Sequence, residues 1–242
     1  MIGCALAVAS AVGLSACGST PKAAPSGASL VAQASTAAAS AGSVRIKIVA
    51  TQTTGGKQQP AETLTSKISA PASVQSIRFP AGTAGNLDVM LIGSTAYVRA
   101  DAPTLFKGLG LTTQGAQRYA GQWISIQQGD SPFSGIADTL TLDAQMRTFL
   151  PVGPSVTVGS ERTLRGQRVL PLTGPASANH AKGAGISRLF INPKTKLPVA
   201  GGVVKASTTT RNEVVAQFTQ WGKPVELTPP ADAVPYSTAT KA

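Results

Sequence analysis

The sequence predicts an α+β domain: one large curved antiparallel sheet, a half-barrel, wrapped around a few short helices. Three observations carry this. From Ser43 onward apolar residues recur with a period of two, which is strand patterning. Between about residues 103 and 150 the period changes to that of short amphipathic helices, and then strand patterning returns. The connections between strand-like runs are short and glycine-bearing, which favours hairpins and antiparallel pairing.

Each element follows from its residues. Residues 1–16, MIGCALAVASAVGLSA, are apolar, small and uncharged, as in the core of an export signal. They are too short for a membrane span, and no later apolar run approaches the roughly 20 residues a span needs. Residues 17–42 combine Cys17 with a Ser/Thr/Ala/Gly/Pro stretch that reads as a tether. Ala28 to Ala41 within it is alanine-rich enough for a helix, with Leu30, Val31 and Ala34 near one face.

Strands are predicted where Val44, Ile46 and Ile48 alternate with Arg45, Lys47 and Val49, and around Leu64 and Ile68. Leu87, Val89 and Leu91 alternate with Asp88, Met90 and Ile92, and Ala96, Val98 and Ala100 with Tyr97 and Arg99. Turns are placed at Gly55-Gly56, Ala81-Gly82 and Gly93-Ser94. Pro103 to Leu109 reads as a helix with proline near its start. Trp123 to Ile126 returns to strand. Ser131-Pro132 and Thr141-Leu142-Asp143 are helix starts, leading into Phe133, Ile136, Ala137 and Leu140, and into Ala144, Met146, Phe149 and Leu150. Pro151 stops the second of these helices.

Beyond Gly153, strands are predicted at Val156–Val158, Arg168–Leu172, Ser187–Ile191, Leu197–Lys205 and Glu213–Phe218. Asn192 to Lys196 is a turn, and residues 174–185 form a small-residue loop. The domain is expected to span residues 43–230, closing at the proline-rich stretch that begins at Pro229, with 231–242 a C-terminal tail.

Composition excludes much chemistry. The 242 residues hold 21 Lys+Arg, 10 Asp+Glu, one His and two Cys, for a net charge of +11. Cys4 and Cys17 both precede the domain, so no disulfide framework, Cys-ligated zinc or iron–sulfur site is expected within it. His180, the single histidine, sits in a small-residue loop with no carboxylate close in sequence. No G-x-S-x-G nucleophile elbow and no phosphate-binding G-x-x-x-x-G-K-[ST] occurs. Asp138 and Asp143 are five apart; a general acid/base pair is one reading, helix capping by Asp143 the better one. No enzyme activity, cofactor or metal is expected. The positive charge is dispersed, without a dense basic block carrying aromatics, so nucleic-acid binding is not expected. It reads either as solubility charge or as a match to anionic lipid head groups.

Leu14-Ser15-Ala16-Cys17, followed by Gly18-Ser19, resembles the lipobox of bacterial lipoproteins. The alternative is an ordinary secretory signal with an incidental cysteine; no Lys or Arg precedes the apolar run, as the pattern usually has. With the lipobox, GSTAYVR (93–99), YAGQWI (119–124), INPKTKL (191–197) and FTQWGKPV (218–225) resemble, in order and spacing, the actinobacterial LppX/LprAFG lipoproteins, relatives in fold of LolA-type carriers. That resemblance implies lipidation of Cys17 with diacylglyceryl (palmitate-type) chains and anchorage on the outer face of the cytoplasmic membrane. It implies a monomer that binds acylated lipid or glycolipid in an apolar cavity, carries it across the envelope and works with an envelope lipid transporter. The alternative is an envelope interaction or regulatory lipoprotein with a closed interior.

A carrier needs apolar wall area and few polar anchors. The candidate wall residues are Met90, Ile92, Tyr97, Phe106, Leu109, Phe133, Ile136, Leu140, Met146, Phe149 and Phe190. For each, ordinary core packing is the competing role. Trp123 and Trp221 read as anchors at strand ends.

Overall fold

The computed structural model describes residues 25–59, 61–69, 72–78, 85–177 and 185–241, with the side chain of Ser76 also outside the description. Cys17 and His180, and the turn placed at Ala81-Gly82, lie outside the described residues.

Helix α1 (Gly27–Ala41) opens the described chain. Ser26 caps it, its side chain accepting from the Ser29 N–H at 3.2 Å. Gly42, at φ +70°, ends it in the left-handed region and donates its N–H to Ala38 and Ala39. Leu30, Ala34 and Ala38, four apart, form its buried stripe.

The sheet follows: β1 (Ser43–Thr54), β2 (Lys57–Gln58), β3 (Glu62–Ser69), β4 (Ala72–Arg78), β5 (Asn86–Ile92) and β6 (Thr95–Ala100). The insert holds α2 (Ala102–Leu109), α3 (Thr113–Arg118), β7 (Ile124–Gln127), α4 (Phe133–Thr139) and α5 (Leu142–Arg147). Then come β8 (Thr157–Val158), β9 (Arg162–Leu164), β10 (Gln167–Pro175), β11 (Ile186–Ile191), β12 (Pro198–Ala206) and β13 (Thr210–Thr219). Last are β14 (Val234–Pro235) and α6 (Tyr236–Ala239).

All these strands join one sheet in the order β14-β7-β6-β5-β4-β3-β1-β13-β12-β11-β10-β8, with β2 on β1 and β9 on β10. Every pairing is antiparallel except the two-residue β14–β7 contact. Register defines the face that the helices cover. One cross-strand row runs Ile46, Ser66, Gln75, Val89, Val98 and Ile124. The next runs Val44, Ile68, Ser73, Leu91, Ala96 and Ile126. Both rows are apolar except at β3 and β4, where Ser66, Gln75 and Ser73 intervene. The core divides there. One cluster joins α1 and α5 to β1, β3 and β10–β13, around Leu30, Ile46, Met146, Phe149, Leu172 and Leu189. The other joins α2, α3 and the end of α4 to β5–β7, around Val98, Leu105, Leu111, Ile124 and Ile126.

Three differences from the sequence reading have physical causes. Strand β4 has little apolar alternation to reveal it, because two of its three helix-side positions are Ser73 and Gln75, both buried, with Gln75 Nε2 donating to Ser66 Oγ at 3.3 Å, and only Ile77 is apolar. The expected tail at 231–242 is instead part of the domain. Val234 pairs with Ile124, Tyr236 donates its hydroxyl to the Leu109 carbonyl at 2.9 Å, and Ala239 is fully buried. Finally, α3 is held by a Thr112 cap accepting from Gly115 at 2.9 Å rather than by a clear apolar stripe.

Candidate functional site

A cavity of about 400 Å³ lies where the two core clusters part. Its floor is Ile68, Ser73, Leu140 and Met146, all buried, with Leu91 and Leu142 half-buried beside them. Its roof is the last two turns of α1: Ser35, Ala38, Ala39 and the cap Gly42. The small roof residues are the reason space remains. A helix that carries Ala and Ser opposite a row interrupted by Ser73 brings too little side-chain volume to close the gap. Thr141 and Asp143 border the opening and are exposed.

The opening is built locally. Thr141 caps α5 by accepting from the Ala144 N–H at 3.1 Å. Asp143 sits in the first turn, where the helix dipole favours a carboxylate, and pairs with Arg147 one turn on. The cap that the sequence assigned to Asp143 is thus supplied by Thr141, and Asp143 has a helix-dipole and ion-pair role in the first turn. The lining is mainly apolar, with hydroxyls from Ser35, Ser69, Ser73 and Thr141. Such a surface holds an apolar chain and offers hydrogen bonds to an ester or hydroxyl at its polar end.

A second cavity, about 120 Å³, lies between β5–β6 and α2, lined by Leu87, Val89, Val98, Leu105, Leu109 and Ile136 among others.

The candidate wall residues divide accordingly. Leu140 and Met146 line the main cavity, and Leu109 and Ile136 the smaller one. Phe133 is half-buried against the β5–β7 cluster. Phe149 is fully buried core, edge-on to Phe218 with ring centroids 5.7 Å apart. Phe106 faces outward at 49% exposure.

Met90, Ile92, Tyr97 and Phe190 are corrections: all four stand on the sheet face away from the helices. Strand β5 is apolar at both phases, and the phase is set by Asp88. That buried carboxylate takes Arg78 at 3.0 Å and Arg99 at 2.9 Å on the far face, so Met90 and Ile92 follow it there. Tyr97 pairs across from Met90. Phe190 lies under the Arg162 guanidinium, 4.7 Å from its ring centroid. Leu91, Ile68 and Ser73, which do line the cavity, are their neighbours of opposite phase. Asp88 in the same phase as Met90 was the sequence signal for this.

Trp221 anchors the end of β13, stacking on Phe218 and donating Nε1 to the Pro198 carbonyl at 2.8 Å. Trp123 carries Arg99 over its ring at 4.6 Å. Asp101 caps α2, and the Thr104 side chain and the Thr104 and Gly85 N–H groups hold its carboxyl below the ordinary value, against a smaller opposing effect of burial. Among the described residues no group of three or more His, Cys, Asp or Glu is placed to hold a metal, and no helix is long and apolar enough to cross a membrane.

No family model matches the sequence, and no curated protein matches it. The chain is similar to several solved structures. One is a LolA superfamily protein from Nitrosomonas europaea, at 8% identity and TM-score 0.30, covering 81% of this chain and 93% of that one. Another is the MucA/MucB complex of Pseudomonas aeruginosa, at 13% identity and TM-score 0.33, covering 80% of this chain and 56% of that one. A third is a DUF1329 family protein from Desulfovibrio piger, at 10% identity and TM-score 0.32, covering 84% and 93%. At these identities and TM-scores the likenesses carry no functional weight, and the cavity itself carries the reading.

Proposed function

We propose that this chain is an exported, lipid-anchored protein that binds one acyl chain of a lipid or glycolipid between α1, α5 and β3–β5 and carries it through the envelope. It acts as a carrier rather than an enzyme. The observation that supports this is the apolar cavity of about 400 Å³ roofed by small residues, within the ~300–1,000 Å³ range of ligand pockets. Each buried methylene contributes about 0.8 kcal/mol, so a ten-methylene segment contributes about 8 kcal/mol before ordering costs. A closed-interior lipoprotein has no use for such a space. The hydroxyls of Ser69, Ser73 and Thr141 suit an ester or sugar at the chain's polar end. Anchorage through Cys17 follows the lipobox resemblance.

The test is native mass spectrometry with lipid extraction on the full chain carrying Cys17→Ser, which removes the acyl attachment. Recovery of a stoichiometric acylated ligand is expected. Bare protein, persisting after incubation with candidate acyl lipids, overturns the reading.

A further inference from the structure

On the sheet face opposite the helices, a separate pocket of about 110 Å³ is lined by Arg45, Lys67 and Lys223, with Glu226 at its side. Arg45 and Lys67 are directly opposed across β1 and β3. Like charges in that position repel, so their pairing is unfavourable unless something neutralises them. Among the described residues no hydrogen-bond partner reaches the buried Nε of Arg45, and leaving such a donor unpaired is costly. None of the three cations is in an ion pair among the described residues, and against the one carboxylate the lining carries a net +2. The loop bearing Lys223 is fixed in place: Gly222 donates to the Ser43 carbonyl, and Ser43 donates its hydroxyl to the Lys223 carbonyl at 2.8 Å.

We propose that Arg45, Lys67 and Lys223 form a phosphate-binding pocket that takes the phosphodiester head group of an anionic membrane lipid and docks this end of the domain on the bilayer. A guanidinium with an unpaired N–H, flanked by two ammonium groups, matches phosphate oxygens. Its position supports the membrane as the source. Lys67 and Ile68 are adjacent on β3, one facing this pocket and the other lining the acyl cavity. Docking there brings Gly42 and Ser69, which line the acyl cavity beside this end of β1 and β3, toward the lipid surface. The chain from Cys17 to Ser26 reaches roughly 30 Å when extended, beyond the ~22 Å length of α1. An anchor at Cys17 therefore permits this orientation. The proposal rests on the carrier reading only for the purpose of docking, because vesicle binding is measured without cargo.

The test is co-sedimentation of full chain carrying Cys17→Ser with vesicles of equal parts phosphatidylglycerol and phosphatidylcholine, and with phosphatidylcholine alone. Binding to the anionic vesicles only is expected. Arg45→Gln, Lys67→Gln and Lys223→Gln together should weaken it by about fivefold per charge, on the order of a hundredfold in all. A control removing three exposed charges elsewhere (Lys107→Gln, Arg118→Gln, Lys194→Gln) should change it far less. Lys223→Gln alone, outside the sheet, keeps the test independent of strand folding, and Glu226→Gln should strengthen binding. Equal losses in both triple variants would mean dispersed charge and overturn the pocket. Saturable binding of inorganic phosphate that the triple variant loses, with no binding to the anionic vesicles, would make it a site for the free ion and overturn the membrane assignment.

Discussion

Ser73→Leu separates an open cavity from a packed interior. Ser73 lies between Ile68 and Leu91 in its cross-strand row, and all three line the 400 Å³ space. A leucine there occupies roughly 80 Å³ of the void, which at about 24 cal/mol per Å³ stabilises the ligand-free protein by about 2 kcal/mol. For a chain of this size that raises Tm by about 4–8 °C. Were the interior already filled, the same change would overpack it and cost about 1–3 kcal/mol. The sign of the shift therefore decides. Delipidated wild-type and variant proteins are to be melted by circular dichroism, and each titrated with a fluorescent long-chain fatty acid. A higher Tm with lost fatty-acid binding is expected. A lower Tm with binding intact refutes both the cavity and its role.

Two further changes test the frame around the site. A Cβ on Gly201 would stand 2.9 Å from the Phe149 Cβ, so Gly201→Ala must displace a buried ring. The overpacking cost of about 1–3 kcal/mol exceeds the roughly 0.4–1 kcal/mol gained from a stiffer unfolded chain, and the urea midpoint should fall. Asp101→Ala removes the α2 cap and the acceptor of the Gly85 N–H, at about 1 kcal/mol near neutral pH. Because the folded Asp101 carboxyl titrates lower than the unfolded one, its stabilisation is complete above the unfolded value near ~3.9 and fades as pH falls through the folded value. The stability gap between wild type and variant, measured by urea unfolding across pH, should be constant from pH ~7 down to ~4 and close below that.

Much of the fold was legible wherever one face of an element is apolar and the other polar. Strands β1, β6 and β13 and helices α1, α2 and α5 lie close to where alternation, capping and glycine signals put them. Signals failed where burial and polarity part company. Strand β4 turns Ser73 and Gln75 inward, so its buried face reads as surface. Strand β5 is apolar on both faces, which left the phase to Asp88 and sent Met90, Ile92 and Tyr97 to the wrong side. The segment after Pro230 looked like an ending because the few residues that dock it, Val234, Tyr236 and Ala239, are too sparse to form a pattern.

The sequence by itself determined the strand–helix–strand order, the antiparallel hairpins and the absence of cysteine chemistry from the domain, because these depend on near neighbours and composition. Only the tertiary structure decided where volume is missing. The cavity exists because the small end of α1 is set over the polar break at Ser73 and beside Leu140 and Met146, segments far apart along the chain. The Arg45–Lys67–Lys223 pocket likewise arises from register and a loop closed on Ser43. An unfilled space, or an unpaired charge, belongs to what several elements fail to supply together, and no single stretch of sequence encodes that.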